Sequence, residues 1–167
     1  MIFKSKKHSL ILYNILLHLS RNIFFYDKIR LPDNFETRIY LMFIHFSILM
    51  IIFKKKRKKF DQNAYDQLFH NIENNSRELG FGDVSVNKKM KELNKVLYDI
   101  LLKLELNKDN NKIFEINHKL ISKYFVELID QKNPKYTSFK SYFESFFNFC
   151  FELPLDSMLK DSINYRI

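Results

Sequence analysis

Between Ile39 and Phe53 apolar residues follow one another almost without a break, relieved by Tyr40, His45 and Ser47. Six basic residues, Lys54, Lys55, Lys56, Arg57, Lys58 and Lys59, close the run. A helix that is apolar all round belongs in the middle of a bundle or in a membrane. The fifteen residues of the run reach about 22 Å at 1.5 Å each, short of the roughly 30 Å hydrocarbon core of a bilayer. A buried central helix is therefore expected. Pro32 stops the segment before it, Asp33 can accept from the free N–H groups of the next helix start, and Glu36 can reach back as in a capping box. The spacing predicts a helix start near Asp33.

The other elements show narrower patterns. An apolar-rich stretch from Leu10 to Phe25 follows a basic stub, Lys4, Lys6 and Lys7. Asn14 interrupts it and no small-residue cleavage site follows, which favours a first structural helix over a secretory signal. Asp61 can cap a third helix to about Leu79, with Tyr65, Leu68, Phe69, Ile72 and Leu79 on one stripe. Val86, Met90, Leu93, Leu97, Ile100 and Leu104 alternate in steps of four and three, a narrow seam for a fourth helix starting near Ser85 or Val86. The polar stretch 106–112 reads as a surface loop, and a fifth helix is expected from about Ile113 to Ile129.

The pattern then breaks at Pro134. Phe139, Tyr142, Phe143, Phe146, Phe147, Phe149 and Phe151 give a sixth helix an unusually wide apolar face, which signals deep burial or a bound partner. Pro154 ends that helix, and the residues after about 154 are expected to form a loosely held tail. The whole, residues 1–167, reads as all-α: a single compact bundle of about six helices.

Composition agrees with the pattern. The chain has 167 residues, 18 Phe and 9 Tyr, but only two Gly and three Pro, too few turn formers for a many-stranded sandwich or barrel. Cys150 has no cysteine to pair with and reads as a small core residue. His8, His18, His45, His70 and His118 never fall three or four apart, so no local metal motif follows, and the isolated helical histidines are expected to be packed or solvated, not haem ligands. No nucleophile, base and orienting group can be read locally, so no enzyme and no cofactor are expected. The net charge of +9 suits an acidic partner, RNA or anionic headgroups.

Both glycines fall in RELGFGDVSVNKKM, residues 77–90. Gly80 stands where a helix commonly ends in a left-handed residue, Gly82 permits a second bend, and Asp83 or Ser85 can cap the next helix. A tight Gly-x-Gly corner between helices three and four follows. GFGD lacks the later Gly, Lys and Ser or Thr of a phosphate-binding loop.

These residues resemble the central signature of the ubiquinol-cytochrome c chaperones. Arg77, Glu78, Leu79, Gly80, Gly82, Asp83, Ser85, Val86, Lys88, Lys89 and Met90 carry that likeness, and Pro32, Asp33, Glu36, Arg38, Leu41 and His45 match a second block upstream. The sequence departs from the family pattern at Asn87, where proline is common, at Asn71 and Asn74, where charged residues stand, and at Leu97, Tyr98, Asp99 and Ile100.

The resemblance implies a helical, non-enzymatic assembly chaperone. It would bind newly made cytochrome b and promote assembly of ubiquinol-cytochrome c reductase, respiratory complex III. Further candidate partners are the ribosome near its exit tunnel, the anionic inner-membrane surface and a small helper subunit. The implied location is the bacterial cytoplasm at the inner membrane, or the matrix side in an organelle. Arg77, Glu78, Gly80, Gly82, Asp83, Val86, Lys88, Lys89 and Met90 become candidates for partner binding or for forming the corner. His45, Phe143, Phe146 and Phe147 are candidates for an apolar groove, and the 54–59 basic block for an anionic contact. A small basic membrane-associated helical protein, or a general RNA- or ribosome-binding module, is the alternative.

Overall fold

A computed structural model of the chain describes residues 12–105 and 114–167, and among these residues it contains helices and turns but no strand. The basic stub at Lys4 to Lys7 and the stretch 106–112 lie outside the described residues. The helices are α1 (12–20), α2 (Phe35–Lys55), α3 (Gln62–Glu78), α4 (Asp83–Glu105), α5 (His118–Tyr124), α6 (Pro134–Phe151) and α7 (Leu155–Asp161). A π-helical turn, Phe24–Lys28, connects α1 towards α2.

α2 is the axis of the bundle, and from Leu41 to Leu49 every residue is buried. Its 21 residues are longer than the apolar run alone. At 1.5 Å per residue the helix is about 31 Å long, so length does not separate it from a membrane span. Burial by its neighbours does. α4 and α6 pack against α2, and α3 packs against α4. Ring contacts join α2 to two further helices: Phe43 meets Phe69 of α3 at 5.8 Å, and Tyr40 meets Tyr124 of α5 at 5.0 Å.

The start of α2 is set by Asn34, whose side chain accepts from the Thr37 N–H at 2.9 Å. Asp33, expected in that role, pairs with Arg38 at 3.1 Å, and Glu36 turns to Lys89 instead of reaching back. Two adjacent residues could cap, and the one closer to the helix does. Asp61 caps α3 through the Asn63 N–H at 3.0 Å.

Pro134 opens α6 and does not interrupt a pattern. Its missing N–H is one the helix start leaves unpaired in any case. Asn133 accepts from the Lys135 N–H at 3.0 Å to complete the cap. The expected fifth helix is shorter than its pattern suggested. It starts after Asn117 and stops at Phe125, whose φ of −130° and ψ of 80° leave the helical region and whose side chain is buried in the core. A 3₁₀ turn, Val126–Leu128, follows.

The residues after Pro154 are not a loose tail. They form α7 and a 3₁₀ turn, Ser162–Asn164, that bury Met158 and Tyr165. The Tyr165 hydroxyl donates to the Tyr142 carbonyl at 3.3 Å, and its ring meets Tyr142 at 5.3 Å and Phe146 at 5.5 Å. Two buried apolar side chains hold a segment that polarity alone made look free.

Candidate functional site

The α3–α4 corner begins with a complete Schellman ending. The Gly80 N–H donates to the Arg77 carbonyl at 2.9 Å, and the Phe81 N–H to the Ser76 carbonyl at 3.4 Å. Gly80 takes φ of 92°, in the left-handed region, whereas Gly82 is not among the positive-φ residues. A Cβ on either glycine would meet nothing within 4 Å. Gly80→Ala is therefore expected to lower stability by about 1 kcal/mol through backbone strain alone. Gly82→Ala is expected to leave the thermal midpoint unchanged, and paired thermal melts of the two variants check both outcomes.

Arg77 stitches the two sides together. Its guanidinium pairs with Glu73 at 3.2 Å one turn back, and with Asp83 at 3.3 Å across the corner. The Val86 N–H donates to the Gly82 carbonyl at 2.9 Å, and its side chain is fully buried. Val86 therefore anchors the corner from inside. Met90 is half-buried, and Glu78 and Lys88 are exposed.

Lys89 joins the two sequence blocks. Its ammonium donates to Glu36 at 2.9 Å and lies 4.7 Å from the Phe35 ring and 5.1 Å from the Phe81 ring. The hydrogen bond from Lys89 holds the Glu36 carboxyl below its ordinary range. Lys89, a candidate from sequence for partner binding or for forming the corner, is thus engaged within the fold. Pairing with a residue 53 positions away left no local signal.

Around this polar seam the corner exposes apolar side chains. Leu79 is 57% exposed, Phe81 41% and Val84 85%. Three such residues within six positions form an apolar knuckle, rimmed by Arg77, Glu78, Asp83 and Lys88. The spacing along α3 places Leu79 on the same stripe as Leu68, Phe69 and Ile72. The Schellman turn instead carries it outward.

The expected groove is not one. His45, Phe143, Phe146 and Phe147 are fully buried, and their rings fill the space between α2 and α6. The wide aromatic face is core because the π-helical turn and the α7 segment cover it. Phe25 packs 4.7 Å from Tyr142 and 5.8 Å from Phe143. His45 Nδ1 lies 2.6 Å from the Leu41 carbonyl, and Nε2 lies 2.9 Å from the Tyr142 hydroxyl. A carbonyl can only accept, so Nδ1 carries the proton and Nε2 accepts from Tyr142. Burial lowers the His45 pKa to about 4 and keeps the ring neutral. With both nitrogens engaged, His45 has no atom left to ligate haem.

The 54–59 block also divides. Lys56 donates to the Phe151 carbonyl at 2.7 Å and to the Leu153 carbonyl at 3.1 Å, with the Phe151 ring 5.0 Å away. It therefore closes the C-terminal end of α6, where carbonyls lack intrahelical donors. Lys55 lies 5.9 Å from the Phe147 ring. Arg57 ends α2 with φ of 58°, and Lys58 and Lys59 are exposed. Lys56→Met is expected to destabilise by about 1.5–3 kcal/mol, the range for hydrogen bonds to a charged group. Lys58→Met should change stability by under about 0.5 kcal/mol. Urea unfolding of both variants makes the comparison.

Asp99, at a position where the sequence departs from the family pattern, is a second pin between helices. It accepts from Lys123 of α5 at 2.8 Å and also from Lys103 and the Tyr124 hydroxyl. Burial alone would raise its pKa, but these donors hold the carboxyl well below the usual carboxylate range. Among the described residues no group of three or more His, Cys, Asp or Glu side chains is placed to hold a metal ion.

No curated protein and no solved structure matches the chain. The sequence model of one family, described as ubiquinol-cytochrome C chaperone, matches residues 27–125. That span runs from the π-helical turn to the end of α5 and contains the corner, the Glu36–Lys89 pair and the Asp99 pin. It covers more than half of the 167 residues, and its two signature blocks meet in space at Lys89, so the chain belongs to the ubiquinol-cytochrome C chaperone family.

Proposed function

We propose that this chain is a non-enzymatic assembly chaperone of respiratory complex III that holds unassembled cytochrome b, with the α3–α4 corner as its client contact. Membership of the family supports the assembly role. The observation that carries the contact site is the exposed trio Leu79, Phe81 and Val84 on a corner fixed by Gly80, Arg77 and Asp83. A client lacking its partner subunits offers apolar helices with charged loop ends. A rigid apolar knuckle rimmed by both signs of charge complements such a surface.

Rigidity matters to affinity. The Schellman turn fixes the backbone that carries the three side chains before a client arrives, so less ordering of the chain is needed on binding. Val86, fully buried in the first turn of α4, secures the corner from inside and is not available to the client.

A photo-crosslinking residue at position 81 or 84 should capture cytochrome b before its partner subunits join. Phe81→Asp should abolish capture and lower mature cytochrome b, read from its haem spectrum, while the thermal midpoint stays within about 2 °C of the parent. Normal complex III levels in cells carrying only Phe81→Asp would reject the contact site. Normal levels in cells lacking the protein would reject the function.

A further inference from the structure

Helix α4 has a second face that the core does not use. At 100° per residue, Lys88, Lys91, Lys95, Tyr98 and Leu102 lie on one outward stripe, opposite the buried Leu93, Leu97, Ile100 and Leu104. The stripe is about 21 Å long from Lys88 to Leu102, at a rise of about 1.5 Å per residue. Its three lysines are exposed and make no ion pair among the described residues, whereas Lys89 and Lys103 on the same helix are both paired. Tyr98 is 63% exposed and Leu102 58%. Glu92 flanks the stripe, and Asp99 beside it is neutralised by Lys103 and Lys123. The local field is positive.

From this arrangement we infer that the α4 stripe is a membrane-docking face that takes anionic phospholipid headgroups. Shape selects this occupant. The stripe runs along one face of a single uninterrupted helix, and a plane can touch every residue of such a line at once. Lysines reach the phosphates of such a plane with extended side chains, while Tyr and Leu enter the headgroup boundary beside them. Order along the helix adds direction: the lysines occupy the half nearer the corner, and the apolar pair the half nearer Glu105. The corner would then lie beside the bilayer surface at the lysine end. The inference concerns lipid alone and stands whether or not cytochrome b is the client.

The sequence offers a clean reporter because the chain contains no tryptophan. Tyr98→Trp on the stripe and Ser141→Trp, exposed on α6, each give a protein with a single tryptophan, which red-edge excitation reads apart from the tyrosines. With vesicles of phosphatidylcholine and 30% phosphatidylglycerol, the Trp at 98 should shift to the blue and the Trp at 141 should not. Vesicles of phosphatidylcholine alone should shift neither. The K88E/K91E/K95E variant should bind the anionic vesicles in sedimentation at least about a hundredfold more weakly, since losing three lysines at about 1 kcal/mol each already gives that factor. Its circular dichroism should be unchanged, since all three side chains are exposed. Equal binding to neutral and anionic vesicles, an unshifted Trp at 98, or undiminished binding by the triple variant would overturn the inference. So would a single-stranded RNA that binds more tightly than the vesicles and displaces them, which would assign the stripe to nucleic acid.

Discussion

Phe143→Ala is expected to lower the unfolding free energy by about 3–5 kcal/mol. Its ring centroid lies 4.9 Å from His45, 4.9 Å from Tyr142, 5.1 Å from Phe139 and 5.8 Å from Phe25. Removing it opens a cavity where α2, α6 and the π-helical turn meet, and none of the three can close without disturbing the others. Domains of this size have about 5–15 kcal/mol of stability, so the loss is a large fraction of the total. Urea unfolding should show a lower midpoint at unchanged slope. Val84→Ala, at the exposed knuckle, should stay within about 0.5 kcal/mol. The pair separates core from contact. A groove at Phe143 would produce a stable variant that fails to bind, and a knuckle at Val84 produces that result there.

Stability should also fall by about 3 kcal/mol between pH 6.5 and pH 4 through His45 alone. Burial lowers the folded-state pKa of this ring from 6.5 to about 4. The unfolded chain therefore takes up the proton first as the pH drops. His45 contributes its full share above pH 6.5, loses it progressively towards pH 4, and changes nothing further below. Glu36 and Asp99 have the same sign in a lower window. Their folded carboxyls lie below the ordinary range, so their contribution disappears as acid protonates them.

His45→Leu removes the upper window and leaves the lower one. Denaturant midpoints from pH 8 to pH 5 should slope for the parent and run flat for this variant. At pH 8 the variant should be less stable, because the Tyr142 hydroxyl loses its acceptor. Adding Tyr142→Phe should restore part of that loss. A slope that persisted in His45→Leu would place the acid sensitivity elsewhere.

Local periodicity made most of the helices readable. α3 and α4 follow their three- and four-residue stripes, and Asp61 caps α3 as its chemistry required. Errors gathered where one pattern has two physical meanings. A wide aromatic face is made by a core helix and by a binding groove alike, and the covering α7 lay in a stretch too short to show periodicity. Pro134 starts a helix as readily as it stops one, and only the Asn133 cap settles which. The site was readable as a list of residues and not as an arrangement. Gly80 declared its turn, but Lys89 and Lys56 act through partners 53 and 95 or more positions distant, beyond any local spacing.

The length and hydropathy of α2 bear on how the protein is made. This helix satisfies the same criteria by which a nascent segment is taken for a membrane span. It leaves the ribosome well before α6, which covers much of it. At about 5–20 residues per second, translation of the intervening chain takes roughly 5–20 s. Until α4 and then α6 are made, part of its apolar surface stays uncovered and open to capture by the insertion machinery. Faithful biogenesis then depends on how soon α3 and α4 close over α2, and slowed elongation between residues 55 and 134 would divert chains into lipid.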